Sequence, residues 1–150
     1  MVGELTKDEI HNILQSQSIG RLACVDKNNK PYLIPICYYY DGKSLYAQSR
    51  EGKKIDILRT HPNVCFQVDI INNSNNWKSV IVNGIFEELK GQLATKAKEE
   101  LFNTVLTLMT NAASHKFEHE SSTPIDDSLR SKSVIFAIRV KEVTGRFEKQ

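Results

Sequence analysis

Apolar positions along this 150-residue chain recur with two periods, and the switches between them mark its elements. Ile10, Ile13 and Leu14 lie at helical spacing behind Thr6 and Glu9, a Thr-x-x-Glu capping box. The spacing predicts a first helix over 7–17, with Gly20 ending it or letting the chain turn. From there the period falls to two, in runs at 19–25, 32–40 and 44–48 separated by the turn pairs Asn28-Asn29 and Asp41-Gly42. Pro35 sits inside the middle run and cannot donate a ladder hydrogen bond. That strand is therefore an edge, carries a bulge, or faces a ligand. Ile55 and Leu58 share one face of a short helix that Pro62 terminates. Val64, Phe66, Val68 and Ile70 alternate with Cys65, Gln67 and Asp69, giving a strand over 64–71. An asparagine-serine cluster at 72–76 then turns the chain into a strand over 78–89, where Gly84 marks a bulge or bend. Over 91–111 the period returns to helical, with Ala97, Leu101, Val105 and Leu108 on one stripe of the longest helix. Residues 113–132 have no period, hold Pro124 and many serines, and read as an exposed loop. A strongly alternating strand closes the chain over 133–148.

Six strands with two or three helices between them define a mainly β fold. Hairpin-joined short strands favour an antiparallel sheet, and closure into a barrel removes its edges. The element order is not βαβ, and neither G-x-G-x-x-G nor a Walker-type loop occurs. No linker or repeat divides residues 1–150, which read as one domain. The net charge of +2 gives no reason to expect a nucleic-acid or acidic-lipid partner, while leaving room for a local basic site for a small anion. Cys24, Cys37 and Cys65 are odd in number, lie within apolar runs, and read as reduced buried thiols. The first residues are mixed in charge and lack the apolar core of a signal peptide, and no apolar run is long enough to span a bilayer. A cytoplasmic location is the expectation, with no membrane contact.

Three stretches are candidates for chemistry. In Gln48-Ser49-Arg50-Glu51-Gly52-Lys53-Lys54 a strand end meets a helix start, where unpaired amides and a partial positive charge join lysines, an arginine and a serine hydroxyl. That combination suits a phosphate, although a solvated basic helix face has the same composition. The stretch Pro31-Tyr32-Leu33-Ile34-Pro35-Ile36-Cys37, followed by three tyrosines, is either a flat wall for a planar heterocycle or a plain core strand. Trp77 precedes Lys78-Ser79-Val80 at a loop-to-strand junction, where an indole stacks on a ring or simply packs. His115 and His119 are spaced for a metal, but they lack a third ligand in sequence, and no metal site is expected. No nucleophile elbow, Cys–His pair or paired-carboxylate motif stands out, so catalytic residues are unassigned and a cofactor is expected to supply any chemistry.

The run Gly20-Arg21-Leu22-Ala23, then Pro31 to Pro35, Leu45-Tyr46, Ser49, Glu51-Gly52-Lys53-Lys54, Pro62, Val64-Cys65-Phe66, Trp77, Ser79-Val80, Gly84 and Thr144-Gly145-Arg146 resembles the pyridoxamine 5′-phosphate oxidase-like flavoproteins. The nitroimidazole-resistance branch is the nearest in pattern. The resemblance implies a six-stranded antiparallel split β-barrel that is homodimeric and FMN-binding, with the cofactor at the subunit interface. It implies that Lys53 and Lys54 grip the FMN phosphate and that Gln48 and Ser49 lie beside it. Leu33, Ile34, Pro35 and Ile36 would line the isoalloxazine, partly through backbone groups. Trp77, Ser79 and Val80 would contact the ring or ribityl chain, and Arg146 would reach the neighbouring subunit's site. The activity implied is an FMN-dependent oxidoreductase that acts through flavin N5 on a small planar, nitroaromatic or quinone-like compound, with reduced nicotinamide as donor. A non-catalytic flavin carrier or sensor, or a haem-binding split barrel using His115 or His119, are the alternatives. Two departures stand out: Gln48 stands where that branch often carries histidine, and the arginine-bearing C-terminal segment of the true oxidase has no match.

Overall fold

The computed structural model describes residues 1–112 and 133–150. The elements are β1 (Val2–Glu4), α1 (Lys7–Ser16), β2 (Ile19–Val25), β3 (Pro31–Cys37), β4 (Tyr39–Tyr40), β5 (Ser44–Arg50), α2 (Lys53–Thr60), β6 (Asn63–Asn73), β7 (Asn76–Glu88), α3 (Gly91–Ala112) and β8 (Ser133–Lys149). The six expected strands are joined by two short ones, β1 and β4, that alternation cannot reveal. The loop expected over 113–132, with His115 and His119, lies outside the described residues.

All pairing is antiparallel, in the order β3-β2-β6-β7-β8-β5-β4, with β1 added on β8. β3, at one end of this order, and β5, next to the other end, approach each other without pairing, which is the split of a split barrel. Among the described residues β3 pairs only with β2, so Pro35 sits on an edge strand, the setting in which proline is tolerated within a sheet. β7 and β8 run together over thirteen register pairs, with a register shift at Asn83/Gly84. Gly84 is required there, because a Cβ would sit 2.5 Å from the Arg139 carbonyl oxygen.

Period-two alternation places Leu22, Phe66, Val68, Val80, Val82 and Phe136 inside, each essentially inaccessible. Burying such a side chain stabilises by about 1.5–3 kcal/mol. α1 covers one end of this core through Ile10, Ile13 and Leu14, and its capping box is formed. α3 covers a second, smaller cluster of Leu89, Ala97, Ile135 and Ala137. β8 is therefore buried on both faces over Val134 to Ile138, where its sequence is an unbroken apolar run.

Two expectations need correction. Gly20 does not end α1; it lies within β2 beneath the Phe66 ring, 2.3 Å from where its Cβ would be. The three tyrosines do not extend the β3 wall. The chain bends at Tyr38, whose N–H donates to the Ser18 carbonyl. Tyr38 enters the core, edge-on to Phe66 at 4.9 Å, and its hydroxyl donates to the Leu14 carbonyl at 2.7 Å. Tyr40 is also buried, its hydroxyl shared between His11 Nδ1 at 2.8 Å and the Gly42 carbonyl at 3.0 Å. Tyr39 alone turns the other way and stacks on Tyr46.

Candidate functional site

β5 runs directly into α2, so Gln48, Ser49, Gly52, Lys53 and Lys54 follow one another around a corner of the barrel. Gly52 is the N-cap of α2 and provides no side-chain cap, so the first-turn amides keep their donor capacity. Lys53 lies over the Tyr32 ring, 5.4 Å from its centroid. Lys54 is half-buried and close enough to Cys24 for the two to interact electrostatically. Burial pulls its ammonium pKa below the usual lysine value. Neither lysine forms an ion pair among the described residues. A partly desolvated cation without a carboxylate is expensive unless an anion joins it. The corner is held in place by Arg59, which takes Glu51 in a bidentate pair at 2.7 and 2.8 Å and reaches Glu88 of β7 at 2.9 Å. Those contacts lower the Glu88 carboxyl pKa.

β3 connects this corner to an apolar cleft. Tyr32 stands at the lysine end, and Cys37, five residues on and roughly 17 Å away at 3.3 Å per residue, lines the cleft. Between them Leu33 and Pro35 point outward, Ile34 is half-buried and Ile36 faces the core. The backbone edge of β3 facing away from β2 has no strand partner. The cleft has a volume of about 560 Å³ and lies between Cys37, Gln48 of β5 and the α3 residues Leu101, Phe102 and Val105. Sequence reasoning assigned α3 to packing alone. The missed signal was Phe102, an aromatic off the buried stripe.

The remaining expected site residues fall elsewhere. Ser49 is on the opposite face of β5 from Gln48, in line with Ala47 and the main core. Trp77 and Ser79 lie on the outer face of the sheet. Trp77 Nε1 donates to Glu148 at 3.0 Å, and Ser79 Oγ accepts from Gln67 Nε2 at 3.0 Å. Gln67 in turn donates to Asp69, which pairs with Arg21 at 3.2 Å. Val80 is completely buried, and its side chain reaches nothing outside the core. Arg146 is exposed on that outer face, 3.7 Å from Glu4. One chain thus brings Gln48, Lys53, Lys54 and the β3 edge to one region. Trp77, Ser79 and Arg146 share the outer face of the sheet but lie on β7 and β8, three and four strands from β3. Among the described residues no group of three His, Cys, Asp or Glu could hold a metal, and no helix is long and apolar enough to cross a membrane.

A split antiparallel barrel with a cationic corner beside an open strand edge defines a class of small β proteins with room for an elongated anionic ligand. The profile of the pyridoxamine 5′-phosphate oxidase family matches residues 6–147, and the chain belongs to that family. A FAD-binding protein from Mesorhizobium loti is 33% identical, with a TM-score of 0.75 and 99% of each chain covered. A protein provisionally named for 5-nitroimidazole antibiotic resistance from Bacteroides thetaiotaomicron shares the fold at 17% identity and a TM-score of 0.72, covering 98% of this chain and 87% of its own. An uncharacterised protein of Rhizobium meliloti is 28% identical over 144 residues, 95% of this chain and 92% of its own.

Proposed function

We propose that this protein is a flavin-binding oxidoreductase that holds FMN, or the FMN half of a larger flavin, along the edge of β3. The observation that carries this reading is the corner formed by Lys53, Lys54 and the uncapped start of α2, where cations and amide donors gather and neither lysine is ion-paired among the described residues, Asp26 acting on Lys53 only through longer-range electrostatics. A terminal phosphate satisfies all of them at once. The open backbone edge from Leu33 to Ile36 offers N–H and C=O groups to the rim of a planar heterocycle. When bound, the flavin supplies two-electron hydride chemistry at N5. The chain's own work is to anchor phosphate through Lys53 and Lys54, to orient the ring on β3 and Gln48, and to keep water from the cleft. The 33% identity to a FAD-binding protein supports flavin as the ligand.

The functional unit is a homodimer. Trp77, Ser79 and Arg146 lie on β7 and β8, three and four strands from β3, away from a ligand held at the β3 edge of their own chain. A second copy can present them to it, giving two equivalent sites related by a twofold axis. The substrate is a small planar or aromatic compound reduced or oxidised at the flavin, with reduced nicotinamide as electron donor, and the setting is cytoplasmic.

Protein purified from cells is expected to be yellow, to release FMN or FAD on denaturation, and to sediment as a dimer. Lys54→Ala removes a charge-assisted contact worth roughly 1.5–3 kcal/mol. It should raise the FMN dissociation constant about tenfold or more. Unchanged affinity, or a flavin-loaded monomer in sedimentation, overturns the reading.

A further inference from the structure

Acids lie close to the basic corner, yet among the described residues none forms an ion pair with its lysines. Asp26, in the turn between β2 and β3, acts on Lys53 electrostatically, but its Oδ1 accepts from the Asn28 and Lys30 amides at 2.8 and 2.9 Å. Asp56 lines a groove beside Asp26 and Thr60. Glu51 is the acid with the most freedom to reach the lysines. It stands at a bend outside the helix, immediately before Gly52 and Lys53, and its side chain is exposed. Its carboxylate is instead taken in a fork by Arg59, with NH1 at 2.8 Å and NH2 at 2.7 Å. Arg59 lies in the last turn of α2, and helical side chains lean toward the N-terminus, which brings its guanidinium back to the residue before the cap. Glu88, at the end of β7, accepts from Arg59 Nε at 3.1 Å and NH2 at 2.9 Å and so fixes the guanidinium against the barrel. Isolated exposed ion pairs contribute little, whereas a bidentate fork inside a network of charges is the geometry that does contribute.

We infer that Arg59 is a positioning residue for the anion site: it holds Glu51 away from Lys53 and Lys54, so that the corner stays open to a phosphate. Released from the fork, Glu51 is an internal counter-ion. A carboxylate joined to an ammonium through a single intervening residue is present at high effective concentration. That residue is Gly52, whose missing side chain leaves the backbone free to fold the carboxylate back. A Glu51–lysine pair and a bound phosphate are then alternatives, because they use the same cations. Lysine is no substitute at position 59, since one ammonium cannot grip both oxygens of Glu51 and reach Glu88 as well. The inference rests on the flavin reading for the identity of the anion, and on the fork alone for the role of Arg59.

The test is a double-mutant cycle on the full, flavin-free chain, titrated with FMN and read by fluorescence quenching. Arg59→Met keeps the aliphatic stem and removes the fork, and it should raise the FMN dissociation constant about tenfold. Glu51→Gln alone should change it by less than about threefold, because the charge it removes is already engaged. Arg59→Met combined with Glu51→Gln should return it to within about threefold of wild type, since no carboxylate is left to fold back. A role confined to bracing α2 predicts the reverse, because the double variant lacks the same brace. Three results overturn the inference: Arg59→Met within about twofold of wild type, a double variant that binds FMN no tighter than Arg59→Met, or Glu51→Gln tightening FMN as much in wild type as in the Arg59→Met background. Should Arg59→Met fail to fold by circular dichroism, Arg59→Lys with and without Glu51→Gln is expected to give the same pattern at smaller amplitude, and equal affinity in the two overturns the inference. If the wild type takes up no FMN, the flavin reading fails by itself. Calorimetry of inorganic phosphate with the same chains then decides the role of Arg59: the same ranking supports it, and equal or absent binding in all of them overturns it.

Discussion

The first and second helices begin in opposite ways. α1 closes its own N-terminus: the Glu9 N–H donates to Thr6 Oγ1 at 3.2 Å, and the Thr6 N–H donates to Glu9 Oε2 at 2.7 Å. Its first turn carries Asp8 and Glu9, the charges the helix dipole favours. α2 begins at Gly52 with no side-chain cap, and its first turn sets Lys53 and Lys54, charges the dipole disfavours, against the single acid Asp56. Two helices in one small fold thus show the difference between an end that caps itself and an end left without a side-chain cap, the one proposed above to take a phosphate. The cost at α2 is offset elsewhere, by Ile55, Ile57 and Leu58 in the core and by the Arg59 clamp on Glu51 and Glu88.

The contrast can be broken by reversing charge. Lys53→Glu combined with Lys54→Glu should raise the FMN dissociation constant a hundredfold or more, about 2.7 kcal/mol, in a fluorescence-quenching titration, with the fold intact by circular dichroism. It can be sharpened by giving α2 the cap that α1 has. A Cβ at Gly52 meets nothing within 4 Å, so Gly52→Asp fits. The new carboxylate should cap the first-turn amides and compete with phosphate. FMN affinity should fall about tenfold while the flavin-free chain gains a few tenths of a kcal/mol in urea unfolding. Removing the cap from α1 should do the converse. Thr6→Ala should cost about 1 kcal/mol of stability and leave FMN affinity unchanged.

The smallest effect is in acid. Backbone hydrogen bonding from Thr6 holds the Glu9 carboxyl below its ordinary value of 4.5. A lowered folded pKa gives stability that is present above the unfolded value. It is lost as pH falls from about 4.5 through the folded pKa. Glu9→Gln should flatten that part of the stability–pH curve and leave neutral pH little affected, a difference that urea midpoints between pH 3 and 7 would detect.

Much of this fold is readable before any coordinates. The α1 capping box, the turn pair at Asp41-Gly42, the edge-strand reading of Pro35 and the bulge at Gly84 are local, and each rests on the backbone needs of one or two residues. The readings that went astray depended on neighbours distant in sequence. Tyr38 and Tyr40 look like a continuing wall until α1 offers the Leu14 carbonyl and His11 as partners. Gly20 resembles a helix stop until Phe66 closes over it.

What the sequence determined by itself is the three helices and the six longer strands, their antiparallel hairpins and the basic run that opens α2, because periodicity, turn chemistry and charge are properties of adjacent residues. Only the tertiary structure decided which of the nominated residues share a region. Alternation on a strand sends neighbours to opposite faces, so Gln48 parts from Ser49 and Ser79 from the buried Val80. The cleft was likewise invisible in one dimension, since Cys37, Gln48 and Phe102 belong to three elements that only the closing of the barrel and the packing of α3 bring together.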